Sequence, residues 1–166
     1  RAFLQTSLSA RMRELGVADY GSYYRQVTDG LQGAIEWSYL LDRLAVQETR
    51  FFRHRPSFEL LDHYLRQRLA GPPLSHPLAL WSVGCSTGEE PYSLAIVVEE
   101  ILRSKEQPEL FGVTGTDISF KALSRAREGE YAARKLEQVD IDLCERYFEL
   151  SAGGGHKVIA PLASRV

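Results

Sequence analysis

The sequence predicts an α/β fold preceded by a small all-helical N-terminal domain, and three observations carry that prediction. Leu78-Ala79-Leu80-Trp81-Ser82-Val83 is an apolar run of strand length that stops at Gly84. After a short loop closed by Gly88, the residues Leu94, Val98, Ile101 and Leu102 recur at helical spacing. Pro91 falls in the first turn of that helix, where a missing N–H costs nothing. Phe111–Asp117 then runs apolar and β-branched into an acid about one βαβ step downstream. Strand, glycine-bearing loop and helix N-terminus are the parts with which a doubly wound α/β fold holds a nucleotide-like cofactor.

In chain order, the first 70 residues read as helical. Leu4, Leu8, Met12 and Leu15 recur every three or four residues and stop at Gly16, a C′ glycine. Ser22 is placed to cap a second helix through Tyr24, Val27 and Leu31, and Ile35–Val46 supplies a third that is apolar nearly all round. A linker from Gln47 to Pro56 leads to a helix expected to begin near Ser57 and to run through Leu61, Tyr64, Leu65 and Leu69 to the stop signal Gly71-Pro72-Pro73. Beyond the second strand, Ala122, Leu123 and Ala126 face inward on a helix ending at Gly129, and Tyr131 is expected in the core. Asp140 or Asp142 can cap a further helix carrying Leu143, Tyr147 and Phe148, and His156–Ala160 reads as a short third strand.

The loop restricts the cofactor by what it lacks. It has no lysine followed by serine or threonine, and its glycines are spaced G-x-x-x-G rather than G-x-G-x-x-G, so neither a triphosphate nor a dinucleotide is favoured. The helix mouth carries Glu89 and Glu90, which repel a pyrophosphate and attract an ammonium group. S-adenosylmethionine fits: it has no phosphate, but an amino group, a carboxylate and a cationic sulfonium. Asp117, at the end of the second strand, is the expected ribose ligand; the plainer alternative is a cap of the next helix, through itself or Ser119.

These residues carry a family resemblance. Thr49-x-Phe51-Phe52-Arg53, then Ser86-Thr87-Gly88-Glu89-Glu90-Pro91-Tyr92-Ser93, then Thr116-Asp117-Ile118 with Ala126-Arg127-x-Gly129-x-Tyr131, resemble the CheR-type chemoreceptor glutamate O-methyltransferases in order and spacing. The stretch Val46–His54 is similar to the branch associated with pilus chemosensory systems. The resemblance implies a Rossmann-like methyltransferase sheet, with S-adenosyl-L-methionine as cofactor and S-adenosyl-L-homocysteine as product. It implies cofactor contacts at Gln47, Thr49, Arg53, Gly84, Glu90 and Asp117, although Gln47 stands where asparagine or threonine is more usual and Arg50 where a small residue is common. Arg53 is the residue given the catalytic assignment, gripping the methionyl carboxylate in a bidentate pair; the plainer alternative is a surface salt bridge. Glu90, rather than Glu89, falls on the family's contact, leaving Glu89 as a favourable charge against the helix dipole. Phe51 and Phe52 read as core anchors, and Cys85 is rejected as a nucleophile because no histidine accompanies it.

The implied reaction is attack of a receptor glutamate carboxylate on the sulfonium methyl. No strong base is needed, because a glutamate with a reference pKa of about 4.3 is already ionised at neutral pH. The implied partners are chemoreceptor helices, docked by the helical head, where Arg11 and Arg13 are candidates unless they are simply solvated. The resulting division is a helical domain at 1–46, a linker and helix at 47–73, and an S-adenosylmethionine-binding domain at 74–166 that is incomplete at its C-terminus. With two clear strands and a third against the seven of a complete sheet, the exposed edge and apolar face are expected to be covered by a dimer or swapped partner.

Composition sets the remaining bounds. The chain has 166 residues, 44% hydrophobic and 25% charged, with a net charge of −2, as expected of a soluble globular protein. Residues 1–70 carry ten basic and eight acidic side chains and residues 71–166 ten and fourteen, without the concentrated basic face of a nucleic-acid binder. No apolar stretch approaches a membrane span and no signal pattern opens the chain, so a cytoplasmic location with reduced Cys85 and Cys144 is expected. The four scattered histidines predict no metal site. Two rival readings remain: a non-catalytic module that binds S-adenosylmethionine or docks a receptor, and a nicotinamide-linked oxidoreductase, which the loop spacing and the two acids disfavour.

Overall fold

A computed structural model describes residues 2–45, 48–71, 76–108 and 110–166. The chain divides into two compact units, Arg1–Gln47 with Ile118–Lys121, and Glu48–Asp117 with Ala122–Val166.

Among the described residues the N-terminal stretch of the first unit carries α1 (Ala2–Leu15), α2 (Tyr20–Thr28) and α3 (Gly30–Leu44). α1 ends where Gly16 turns to a φ of +68° and Val17 N–H returns to the Met12 carbonyl at 2.9 Å. Asp19, and not Ser22 as the sequence suggested, caps α2: its carboxylate accepts the Ser22 N–H at 2.9 Å and the Ser22 hydroxyl at 2.7 Å. Ser22 therefore lies inside the first turn. α3 starts five residues before the expected Ile35, because Asp29-Gly30, with Gly30 at a φ of +57°, turns the chain directly from one helix into the next. Gly33 allows the two helices to approach closely, since a Cβ there would stand 2.8 Å from the Gln26 carbonyl oxygen.

Met12, Tyr23, Val27 and Leu40 form the core of this unit, around a buried carboxylate, Glu36. Arg11 grips Glu36 through Nε at 2.8 Å and Nη2 at 2.6 Å, and the Tyr23 hydroxyl adds a third bond at 2.8 Å. Arg11, one of the two docking candidates, is engaged within its own helical unit, where its partly exposed guanidinium balances a charge that would be costly to bury alone. Among the described residues Arg13 bonds the Ser9 carbonyl of its own helix, at 3.2 Å.

The second unit is mixed helix and sheet. α4 (Arg55–Arg68) starts two residues before Ser57, with His54 at the N-cap position and Pro56 in the first turn; Ser57 Oγ instead meets His54 Nδ1 at 2.8 Å. β1 (Leu78–Val83) has the bounds the apolar run predicted and pairs in parallel with β2 (Phe111–Thr116), Leu78 opposite Phe111 and Val83 opposite Thr116. The connection between them is α5 (Glu89–Ser104), whose Ala95, Ile96, Val98, Ile101 and Leu102 are essentially inaccessible to solvent. This near-continuous burial fits a helix that packs on β1, β2, α4 and a short C-terminal helix, α8 (Ala160–Ala163). The opposite face of the two strands carries Trp81 and Val83, 67% and 68% exposed, with the Trp81 indole donating to Thr116 Oγ1 at 3.0 Å.

Downstream, α6 (Phe120–Glu128) ends at Gly129 and is followed by β3 (Glu130–Tyr131), a 3₁₀ turn (Ala133–Lys135) and α7 (Ile141–Tyr147). β4 (Phe148–Leu150) and β5 (His156–Val158) complete a second, antiparallel sheet in the order β3-β5-β4. The expected third strand is thus present, but it belongs to this separate sheet, and Phe148, expected on a helix, lies on a strand. Among the described residues no helix is long and apolar enough to cross a membrane.

Candidate functional site

The site forms where β1 and β2 end. Because Val83 lies opposite Thr116, the residues that follow, Gly84 and Asp117, leave the sheet side by side. The loop from Gly84 to Gly88 turns on three positive φ angles, +73° at Gly84, +48° at Ser86 and +96° at Gly88. Three of its main-chain donors bond to main-chain carbonyls: Gly84 and Cys85 N–H both reach the Thr116 carbonyl, at 2.8 and 2.9 Å, and Gly88 N–H reaches the Cys85 carbonyl at 3.0 Å. Ser86 N–H donates to Asp117 Oδ2 at 2.8 Å, which brings the expected ribose ligand onto the loop itself. The loop is therefore not an open cradle of N–H groups for phosphate. At Gly84 what is open is surface, with no atom within 4 Å of where a Cβ would stand.

Gly88 is constrained from outside as well as by its φ. A Cβ there would lie 2.8 Å from the Tyr131 hydroxyl and 2.9 Å from Ala126 Cβ. Tyr131 donates its hydroxyl to the Thr87 carbonyl at 2.8 Å, and Tyr92 donates to the Ala126 carbonyl at 2.9 Å. Both phenols are held above their ordinary pKa by burial, with the Glu89 charge adding to the shift at Tyr131. They are fixed donors. Cys85 is buried against Gly115, and burial, then the charges of Asp117 and Glu90, push its thiol up, so it is not an activated nucleophile.

The two adjacent acids occupy opposite environments. Glu89 has no solvent-accessible surface; its carboxylate accepts the Thr87 hydroxyl at 2.6 Å and Lys135 Nζ at 2.8 Å. Glu90 is exposed at the helix mouth, with Oε1 accepting the hydroxyl of the buried Ser82 at 2.7 Å. The dipole role expected of Glu89 is thus accompanied by a specific ion pair that no local pattern announced, since Lys135 lies 46 residues downstream. Lys135 also donates to the Thr49 carbonyl at 2.9 Å, joining the Thr49–Arg53 segment to the start of α5.

Within that segment Phe51 is a core residue, edge-on to Tyr131 at 4.9 Å and Phe148 at 5.3 Å between ring centroids. Phe52 N–H donates to Ser93 Oγ at 3.0 Å. Thr49 is half-buried, and Arg53 is exposed, pairing with the carbonyl and carboxylate of Glu48. Gln47 lies outside the described residues. Glu89 with Lys135, and Ser93 with Phe52, bring the Thr49–Arg53 segment to the helix that begins at the loop, while Arg53 itself makes no bond to the loop among the described residues.

S-adenosylmethionine suits these groups. Glu90 offers an exposed carboxylate for an ammonium, Asp117 a carboxylate for hydroxyls and Gly84 an open surface, and among the described residues the Gly84–Gly88 loop forms no open phosphate cradle. Ser86 Oγ is buried and has no hydrogen-bond partner among the described residues, a polar atom that a bound molecule can satisfy.

Comparison with known proteins agrees with this chemistry. The family "CheR methyltransferase, SAM binding domain" matches residues 47–166. The chain belongs to that family. Its cofactor is accordingly S-adenosylmethionine. The Chemotaxis protein methyltransferase of Escherichia coli is 32% identical over 153 residues, 92% of this chain and 50% of that protein. Chemotaxis protein methyltransferase 2 of Pseudomonas aeruginosa is 36% identical over 146 residues, 88% of this chain and 49% of that protein. The Probable biofilm formation methyltransferase WspC of Pseudomonas putida is 33% identical over 155 residues, 93% of this chain and 35% of that protein. The chain spans about half the length of the curated relatives it matches.

Proposed function

We propose that this chain is the cofactor-binding part of an S-adenosylmethionine-dependent methyltransferase that esterifies glutamate side chains of chemoreceptors in the cytoplasm. The observation that carries the proposal is the placing of an exposed acid, Glu90, and of Asp117 around a loop in which the Gly84, Cys85, Ser86 and Gly88 N–H groups are already bonded. That arrangement favours an amine and a ribose over a diphosphate. β1, α5 and β2 are read as the first βαβ unit of a doubly wound Rossmann-like methyltransferase sheet; their parallel pairing through a helix supports this. The domain limits are read as 1–46, 47–73 and 74–166, and the exposed face at Trp81 and Val83 as a surface covered by a dimer or swapped partner.

S-adenosylmethionine supplies an electrophilic methyl group on sulfur. Glu90 would hold its amino group, Asp117 its ribose hydroxyls, Arg53 its carboxylate, and Gly84, Thr49 and Gln47 would line it. The attacking glutamate is ionised at neutral pH, so the residues of this chain align rather than move protons. For Arg53 this requires exchanging its exposed pair with Glu48, worth about 1 kcal/mol at most, for a carboxylate.

The test is calorimetric titration with S-adenosylhomocysteine beside Arg53→Ala and Asp117→Ala, followed by transfer of labelled methyl to receptor glutamates, read as base-labile methanol. Binding lost in both variants, with methanol released, is expected. Binding without transfer would leave the sensing or docking module, and preference for NAD would refute the cofactor assignment.

A further inference from the structure

The Thr49–Arg53 segment is held against α5 at two points. At the first, Lys135 Nζ donates to both the Thr49 carbonyl and the carboxylate of Glu89, at 2.9 and 2.8 Å. At the second, Ser93 Oγ accepts the Phe52 N–H at 3.0 Å while donating to the Glu89 carbonyl at 2.6 Å. Phe52 adopts a φ of +51°, a conformation that persists in a bulky residue only where its surroundings impose it. Phe51 anchors the middle of the segment in the core.

The helix N-terminus already favours the negative charge of Glu89, and the Thr87 hydroxyl already bonds it. What Lys135 adds is reach. A lysine that retains 35% of its side-chain exposure could extend into water, yet its ammonium is drawn back by a wholly buried carboxylate and presented to a main-chain carbonyl four residues before Arg53. We propose that Lys135 is a positioning residue for cofactor binding: clamped by Glu89, it fixes the Thr49 carbonyl and so sets where Thr49 and Arg53 stand relative to the Gly84–Gly88 loop. This rests on the S-adenosylmethionine reading of the site.

The test uses the full-length protein with Lys135→Met, Lys135→Arg, Arg53→Ala and the double variant Lys135→Met/Arg53→Ala. Two quantities are read: the Kd for S-adenosylhomocysteine by calorimetry, and amide hydrogen exchange of residues 48–53 without ligand. Lys135→Met should weaken binding about tenfold and speed exchange in 48–53 while leaving β1 and β2 protected. Lys135→Arg, which keeps the charge and the donors, should recover most of both. In the Arg53→Ala background the effect of Lys135→Met should shrink, because both act through one segment.

The proposal is overturned if Lys135→Met binds as the parent does, if its loss is the same with or without Arg53, or if exchange rises throughout the unit. A parent that fails to bind S-adenosylhomocysteine overturns the cofactor reading and the role of Lys135 with it. The exchange data then still show separately whether the lysine holds the segment.

Discussion

Glu89 and Glu90 are chemically identical neighbours, and the isosteric changes Glu89→Gln and Glu90→Gln should differ in what they cost: stability foremost at Glu89, binding with little loss of stability at Glu90. Glu89 is wholly buried and paired with Lys135, and breaking a buried ion pair by removing one partner costs about 3–5 kcal/mol. Two features moderate that figure: glutamine keeps an acceptor for Thr87, and Lys135 retains enough exposure to find water. A cost of about 2–3 kcal/mol is therefore expected, or roughly 6–10 °C in melting temperature for a chain of this size. Glu90→Gln leaves an oxygen to accept the Ser82 hydroxyl on an exposed side chain and should cost under about 1 kcal/mol. Its effect should appear in binding, where losing a charged hydrogen bond worth about 1.5–3 kcal/mol weakens S-adenosylhomocysteine roughly ten- to hundredfold. Thermal unfolding by circular dichroism and calorimetric titration of both variants separate the roles. Equal melting temperatures in the two variants, or a thermally silent Glu89→Gln that alone loses the ligand, would refute the assignment.

Three further outcomes are expected. Gly88→Ala places a Cβ against the Tyr131 hydroxyl and Ala126 at a φ of +96°, so a loss of more than about 2 kcal/mol is expected in urea denaturation, and a neutral substitution would contradict the geometry. Phe51→Ala empties the contact with Tyr131 and Phe148 and should cost about 3–5 kcal/mol by the same assay, whereas the exposed Leu60→Ala should change little. Acid should loosen the N-terminal helices: Glu36 is held below the usual carboxylate range by Arg11, and Glu14, by Arg43 and Arg11, down to about 2. Folded values lowered in this way give stability that is full above about pH 4.5 and is lost as pH falls through the folded values. Helicity followed from pH 6 to 2 should show this, and Glu36→Gln should flatten it.

The parts of the structure governed by nearby residues were legible in the sequence. The six-residue apolar run has the bounds of β1, and the glycines at 84 and 88 mark a loop that does turn on positive φ angles. Asp117 could be placed beside that loop because parallel pairing in register puts it there. The caps were harder, since Asp19 and Ser22 are both capable and the choice depends on which oxygen reaches the third N–H of the turn. Strands of two or three residues, such as β3 and β4, are too short to show a period, which is why the second sheet was not seen. The pairing of Arg11 was not visible for the same reason as that of Glu89: each finds its partner far along the chain, 25 residues away at Glu36 and 46 at Lys135.

That distance in sequence bears on how the site is assembled. With the Gly84, Cys85, Ser86 and Gly88 N–H groups already bonded, the proposed ligand would be held mainly by side chains presented around the loop, and those come from separate elements. Glu90 belongs to the first turn of α5, Asp117 to the end of β2, and Arg53 to a segment tied down by Lys135 and Ser93. Such a site depends on the packing that holds its pieces together, and the same core residues, Phe51 and Tyr131, stand under both the segment and the loop. Substitutions beneath the site should therefore weaken ligand binding and stability together. Glu90, which is exposed and contributes little to packing, is where the two should separate.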